Sequence, residues 1–124
     1  FAPSDIESFS FDYAYRQYSD YVDGLQIVCR LAGEEEWTVL WVNYGSELSV
    51  EDCYTWFWYD TEGEIAWETI TLNTPIHWAT TEVTCAEIAF VNVGGYGNHI
   101  WIDNVNIGSA VGVDNLEIQD QTLL

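Results

Sequence analysis

The chain has no lysine and no methionine, and its only cations are Arg16 and Arg30. Against them stand 21 acidic residues, a formal net charge of −19 over 124 residues. Without basic patches the surface repels phosphate backbones, which excludes nucleic-acid binding. Anionic bilayers are repelled in the same way. Long apolar runs are missing too. The longest, Val39 to Val42 with Trp37 just before it, falls far short of a membrane span, so no membrane insertion is expected. Phe1-Ala2-Pro3-Ser4-Asp5 has neither the basic region nor the apolar stretch of a signal peptide, so the chain reads as a mature protein or an excised segment. Cysteine is sparse and odd in number: Cys29, Cys53 and Cys85 allow at most one internal disulfide. There is no Cys-x-x-Cys pair, and neither His77 nor His99 sits near a cysteine in sequence, which argues against a zinc site.

Core material is abundant. Hydrophobic residues make up 48% of the chain and aromatics 16%, so the acidity does not signal disorder, and the length suits one domain. Two arginines neutralise few carboxylates; the rest must face water, metal ions or a partner. Such a surface repels itself at low ionic strength and is relieved by salt or divalent cations. It suits a solvated surface in a salty exterior, with an acidic binding face as the sharper alternative.

Period-two alternation dominates the pattern. Phe9, Phe11, Tyr13 and Tyr15 share one face of a strand, with Ser8, Ser10, Asp12 and Ala14 on the other. After Asp23-Gly24 come Leu25, Ile27, Cys29 and Leu31. Gly33-Glu34-Glu35-Glu36 reads as a hairpin tip, because like charges in a row resist burial and glycine permits the turn. Trp37 to Val42 returns as a strand, and Gly45 to Asp52 reads as polar loop. Tyr54 to Tyr59 reads as a strand with rings on both faces, and Ile65 to Leu72 as another. Ala86, Ile88 and Phe90 form an inward face, Gly94 to Asn98 a glycine-rich loop, and His99 to Ile107 a last strand. No stretch of ten residues has helical spacing. The expected fold is therefore all-β, an antiparallel β-sandwich. Its expected core is Phe11, Leu25, Ile27, Trp37, Leu40, Ile88, Phe90 and Ile102.

Several of these pieces recur together: Phe11-Asp12-Tyr13-Ala14-Tyr15, Asp23-Gly24-Leu25-Gln26-Ile27, Gly33 with Trp37 and Leu40, and Trp67 before a hydrophobic strand. Ile88-Ala89-Phe90, Gly95-Tyr96-Gly97-Asn98 and Ile102-Asp103-Asn104-Val105 complete the set. In order and spacing they resemble the MAM-like jelly-roll modules of secreted Bacteroidota proteins, of the choice-of-anchor J and cleaved-adhesin type. The resemblance implies a jelly-roll domain over 1–108, with 109–124 a linker or an edge strand carrying Val113, Leu116 and Ile118. Such modules usually carry further strands before the Phe-Asp-Tyr motif, whereas only about ten residues precede it here, which implies a sandwich lacking N-terminal strands. The family's frequent Asp-Cys-Gly before the hairpin is replaced by Leu31-Ala32-Gly33.

Chemistry has few carriers. A nucleophile needs a histidine base and an orienting carboxylate. His77 lies in Thr74-Pro75-Ile76-His77-Trp78 without a glycine-cradled serine, and His99 borders the glycine-rich loop; no enzyme is expected. Asp103-Asn104 resembles the Asp-Asp or Asp-Asn of related jelly rolls, which binds a structural cation there. The resemblance puts the first and last strands side by side, so that Asp5, Glu7 or Asp12 complete a calcium site of oxygen donors. The alternative is that Asp103 caps a turn or bonds a backbone N–H. Asp20 and Asp23 are a second acidic pair, read in preference as a solvated loop. Trp56 and Trp58, with Tyr96, are candidate ligand or interface aromatics, since exposed rings stack on sugars and anchor protein contacts; burial under the same chain is the alternative. Cys29 is expected buried and reduced, leaving Cys53 and Cys85 as the pair for any disulfide in a secreted setting.

These readings point to a noncatalytic extracellular or cell-surface binding or adhesion module, stabilised by calcium, with carbohydrate or protein partners. The alternative is a structural subunit, a homo-oligomer or filament assembled by strand exchange through an open sheet edge.

Overall fold

The computed structural model describes residues 2–50 and 66–109. The candidate strand Tyr54 to Tyr59, with Trp56 and Trp58, lies outside the described residues, as do Cys53 and the stretch from 110 to 124. Six strands are described: β1 (Ile6–Ala14), β2 (Gly24–Leu31), β3 (Thr38–Tyr44), β4 (Glu68–Asn73), β5 (Ala86–Val93) and β6 (Trp101–Ser109). One helical turn, α1 (Gly45–Leu48), follows β3, and short 3-10 turns span Pro3–Asp5 and Ile76–Thr80. The strands form two antiparallel sheets, ordered β4-β1-β6 and β3-β2-β5. The fold is an all-β sandwich.

Alternation explains which strands are central. β1 turns Phe9, Phe11 and Tyr13 inward, all buried, and Tyr15 continues the series beyond the strand. β2 answers with Leu25, Ile27, Cys29 and Leu31. Phe11 is the meeting point, with its ring edge-on to Phe90 at 5.2 Å and to Trp41 at 5.9 Å. Each such side chain fully removed from water contributes roughly 1.5–3 kcal/mol. A second cluster, Cys29, Leu31 and Trp78, closes the opposite end, where the 3-10 turn at Ile76–Thr80 lays Trp78 under the sheets. The Trp78 indole N–H is buried and finds no acceptor among the described residues.

The expected core needs three corrections. Trp37 is 40% exposed, because it precedes β3 and its ring lies under the Arg30 guanidinium, 4.2 Å from the ring centroid, out toward solvent. Ile102 is 36% exposed, although its register opposite Tyr13 puts it on the inward face. β6 is an outer strand, and that face overhangs an opening. The supposed polar loop after Gly45 contains α1, and Leu48 there is fully buried, with its carbonyl accepting the Tyr13 hydroxyl at 2.8 Å. Leu40, Ile88 and Phe90 pack against the core half-buried, as outer-strand residues do.

Cys29 is a buried free thiol on β2, and Cys85 is an exposed one just before β5. Burial first, and the Glu34 carboxylate second, push the Cys29 thiol up to about 11. It therefore stays protonated at neutral pH and reacts slowly. Native alkylation with iodoacetamide at neutral pH should label Cys85 and spare Cys29 until denaturant is added, as read by peptide mass spectrometry. Comparable labelling of both would mean that the β1–β2 core is open.

Candidate functional site

One end of the sandwich gathers the C-terminal end of β1, the start of β2, and the loop joining β5 to β6. A single carboxylate organises it. Asp23, just before β2, is 3% exposed. Its Oδ2 accepts the Tyr15 hydroxyl at 2.7 Å. Its Oδ1 accepts the backbone N–H groups of Gly95 at 2.7 Å and Gly97 at 3.2 Å, while its own carbonyl accepts the N–H of Gly45 at 2.8 Å. These donors replace the water that burial removes. The glycines are required by space: a Cβ on Gly97 would run into the Asp23 carboxylate, and one on Gly95 into the carbonyl of Val22. Burial, and then the bond to Asp23, raise the Tyr15 phenol above its ordinary range, so it remains a neutral donor.

Between the two anchored glycines Tyr96 is forced outward. It is 86% exposed and sits at φ 65°, the left-handed region that side-chain-bearing residues seldom occupy. Asn98 is buried and donates to the carbonyl of Arg16 at 3.0 Å, fixing the far side of the loop.

This fixed loop walls a groove of about 360 Å³ between the edges of β5 and β6. Leu25, Phe90, Ile100 and Ile102 supply its apolar floor, and Asn92, Tyr96 and His99 its polar rim. Asn92 interrupts the inward series Ala86, Ile88, Phe90 on β5, in register with Leu25. Its amide makes no hydrogen bond among the described residues, nor does the Tyr96 hydroxyl. The His99 ring has only an edge contact with Trp101, at 6.1 Å.

The acidic residues of the expected calcium set divide. Asp12 and Asp103 are direct cross-strand partners on β1 and β6, which are neighbours as expected. Asn104 sits beside them at φ 54°, in the bulge where β6 gains a residue on β1. Asp12 accepts from Thr69 Oγ1 at 2.6 Å and from Asn104 Nδ2 at 2.8 Å, and these bonds, Thr69 first, hold its carboxyl below the usual range. Asp103 Oδ1 accepts the Asn104 N–H at 2.8 Å, the turn-capping bond that was the alternative to a metal. Asp5 and Glu7 are not part of this group: Glu7 is five residues up β1, roughly 16 Å away at strand rise, and Asp5 lies beyond it in the first 3-10 turn. Among the described residues no three His, Cys, Asp or Glu side chains cluster. Asn104 turns its amide N–H, and Thr69 its hydroxyl proton, toward Asp12, so the carboxylates of Asp12 and Asp103 are the oxygen donors this group offers a hard cation.

His77 pairs with Glu34 at 3.1 Å at the other end of the molecule, away from the groove. No hydrogen bond joins either histidine to a serine, threonine or cysteine among the described residues. The chain matches no protein-family model, no curated protein and no solved structure.

The sequence reading missed Asp23 as an anchor, since the solvated loop expected for it is a buried hub. The available signal was the glycine-rich loop, whose backbone donors need an acceptor somewhere. Asn92 was missed as well; its signal was a polar residue at the end of an inward-facing apolar series.

Proposed function

We propose that the chain is a noncatalytic binding or adhesion module of an extracellular or cell-surface protein, of the MAM-like jelly-roll kind. The groove beside Tyr96 is its ligand site, and calcium is its structural ion. The observation that carries this reading is the groove itself: Asn92 on β5 and Tyr96 and His99 on the following loop, none hydrogen-bonded among the described residues, stand beside an apolar floor, and Asp23 anchors that loop. Ligand sites combine a mostly apolar lining with a few placed polar groups, and this cavity falls in their size range. Among the described residues neither histidine is hydrogen-bonded to a serine, threonine or cysteine, and the reading adopted is binding. The acidic surface suits a salty exterior.

Calcium would be held by Asp12, Asp103 and Asn104, with Thr69 beside them. Its role there would be to bridge two carboxylates on neighbouring strands, in place of the Thr69 and Asn104 donors that Asp12 now holds.

Two measurements test the proposal. Saturation-transfer NMR with a mixed library of neutral, basic and acidic small molecules should find binders that are lost in Asn92→Ala and Tyr96→Ala while the melting temperature holds. Binders unaffected by both changes, or none at all, would contradict a site in the groove. Calcium should raise the melting temperature progressively with its concentration, and Asp103→Ala should abolish the rise. Identical melting with calcium and with chelator would remove the metal from the account.

A further inference from the structure

Resting on the reading of the groove as a ligand site, we infer that its ligand is a neutral pyranose, the terminal sugar of an uncharged glycan. Three properties of the groove select that class.

The first is charge. Among the described residues the lining contains no lysine or arginine, and its one carboxylate, Asp23, has both oxygens engaged by Tyr15, Gly95 and Gly97. An anion would find no fixed countercharge there and would approach a chain of net charge −19. A cation would be drawn by the overall field but would find no free carboxylate among the described residues of the groove to pair with.

The second is the polar rim. Asn92, Tyr96 and His99 offer an amide, a phenol and an imidazole, which together donate and accept, and none is hydrogen-bonded among the described residues. A purely apolar ligand would cover these groups without pairing them, at a cost for each. A molecule bearing several hydroxyls pairs all three.

The third is the floor. Leu25, Phe90, Ile100 and Ile102 form an apolar base, and the Tyr96 ring projects beside it with 86% of its surface free. A pyranose has a C–H face for such a surface and a rim of hydroxyls at right angles to it. The Gly95 and Gly97 bonds to Asp23 fix the backbone from which the Tyr96 ring projects, so the loop itself needs no ordering on binding.

The test uses the intact chain and isotope-edited NMR. The probes are methyl glucoside, galactoside, mannoside and N-acetylglucosaminide, with glucuronate and glucosamine as charged counterparts and cyclohexanol as an apolar one. At least one neutral glycoside should shift the amides of Asn92, Gly95 and Gly97, and Asn92→Ala should weaken it about tenfold, the loss of one hydrogen bond. Tyr96→Ala, a change at an exposed side chain, supplies a second variant should Asn92→Ala fold poorly. Glucuronate or cyclohexanol binding as well as the best neutral glycoside would overturn the sugar assignment. So would binding of any other library member at the groove while every glycoside fails, and in that case the binding module stands. Shifts nowhere in the groove with any probe would overturn both.

Discussion

The end of the sandwich that matters most here depends on one buried carboxylate. Asp23 reaches four parts of the chain at once: Tyr15 after β1, its own position before β2, α1 through Gly45, and the β5–β6 loop through Gly95 and Gly97. A glycine-rich loop left to itself has high conformational entropy and exposed backbone donors. Two bonds to one carboxylate remove both problems and leave Tyr96, between them, no choice but to project. The shape of the groove is thus a consequence of how a buried charge is satisfied.

The same chain handles its other charges in the opposite way. Acidic residues cluster at the hairpin tip and along exposed strand positions, and the described ion pairs are exposed ones, Arg30 with Glu87 and Glu34 with His77. Exposed pairs of this kind contribute little to stability. Folding rests instead on the aromatic contact between the sheets, centred on the buried Phe11 ring. The cross-strand pair Asp12 and Asp103 places two carboxylates opposite each other in one strand pairing, and Asp12 is satisfied there by donors from Thr69 and Asn104.

Much of the fold was legible in the sequence because side-chain alternation in a strand is local. Phe9, Phe11, Tyr13 and Tyr15 declare one face without reference to anything else, as do Leu25, Ile27, Cys29 and Leu31. Exposure at sheet edges is not local. Trp37 and Ile102 carry the right residue types for a core, yet one pairs with Arg30 in solvent and the other overhangs an opening between sheets. Leu48 hid inside a polar segment because a single helical turn has no period to read. Asp23 was least legible of all. Its partners Gly95 and Gly97 lie more than seventy residues away in sequence, and nothing in a lone Asp-Gly distinguishes a solvated turn from a buried anchor.

The most direct test is amide hydrogen exchange at Gly95 and Gly97 in the native chain and in Asp23→Ala. The substitution removes both carboxylate oxygens, so the loop N–H groups and the Tyr15 hydroxyl lose their acceptor together. The account predicts slow exchange at both glycines in the native chain and fast exchange at both in the variant, while the β1–β2 core amides stay protected. Equal exchange at Gly95 and Gly97 in the two proteins would show that the loop is held by something other than Asp23, and the central claim would fail.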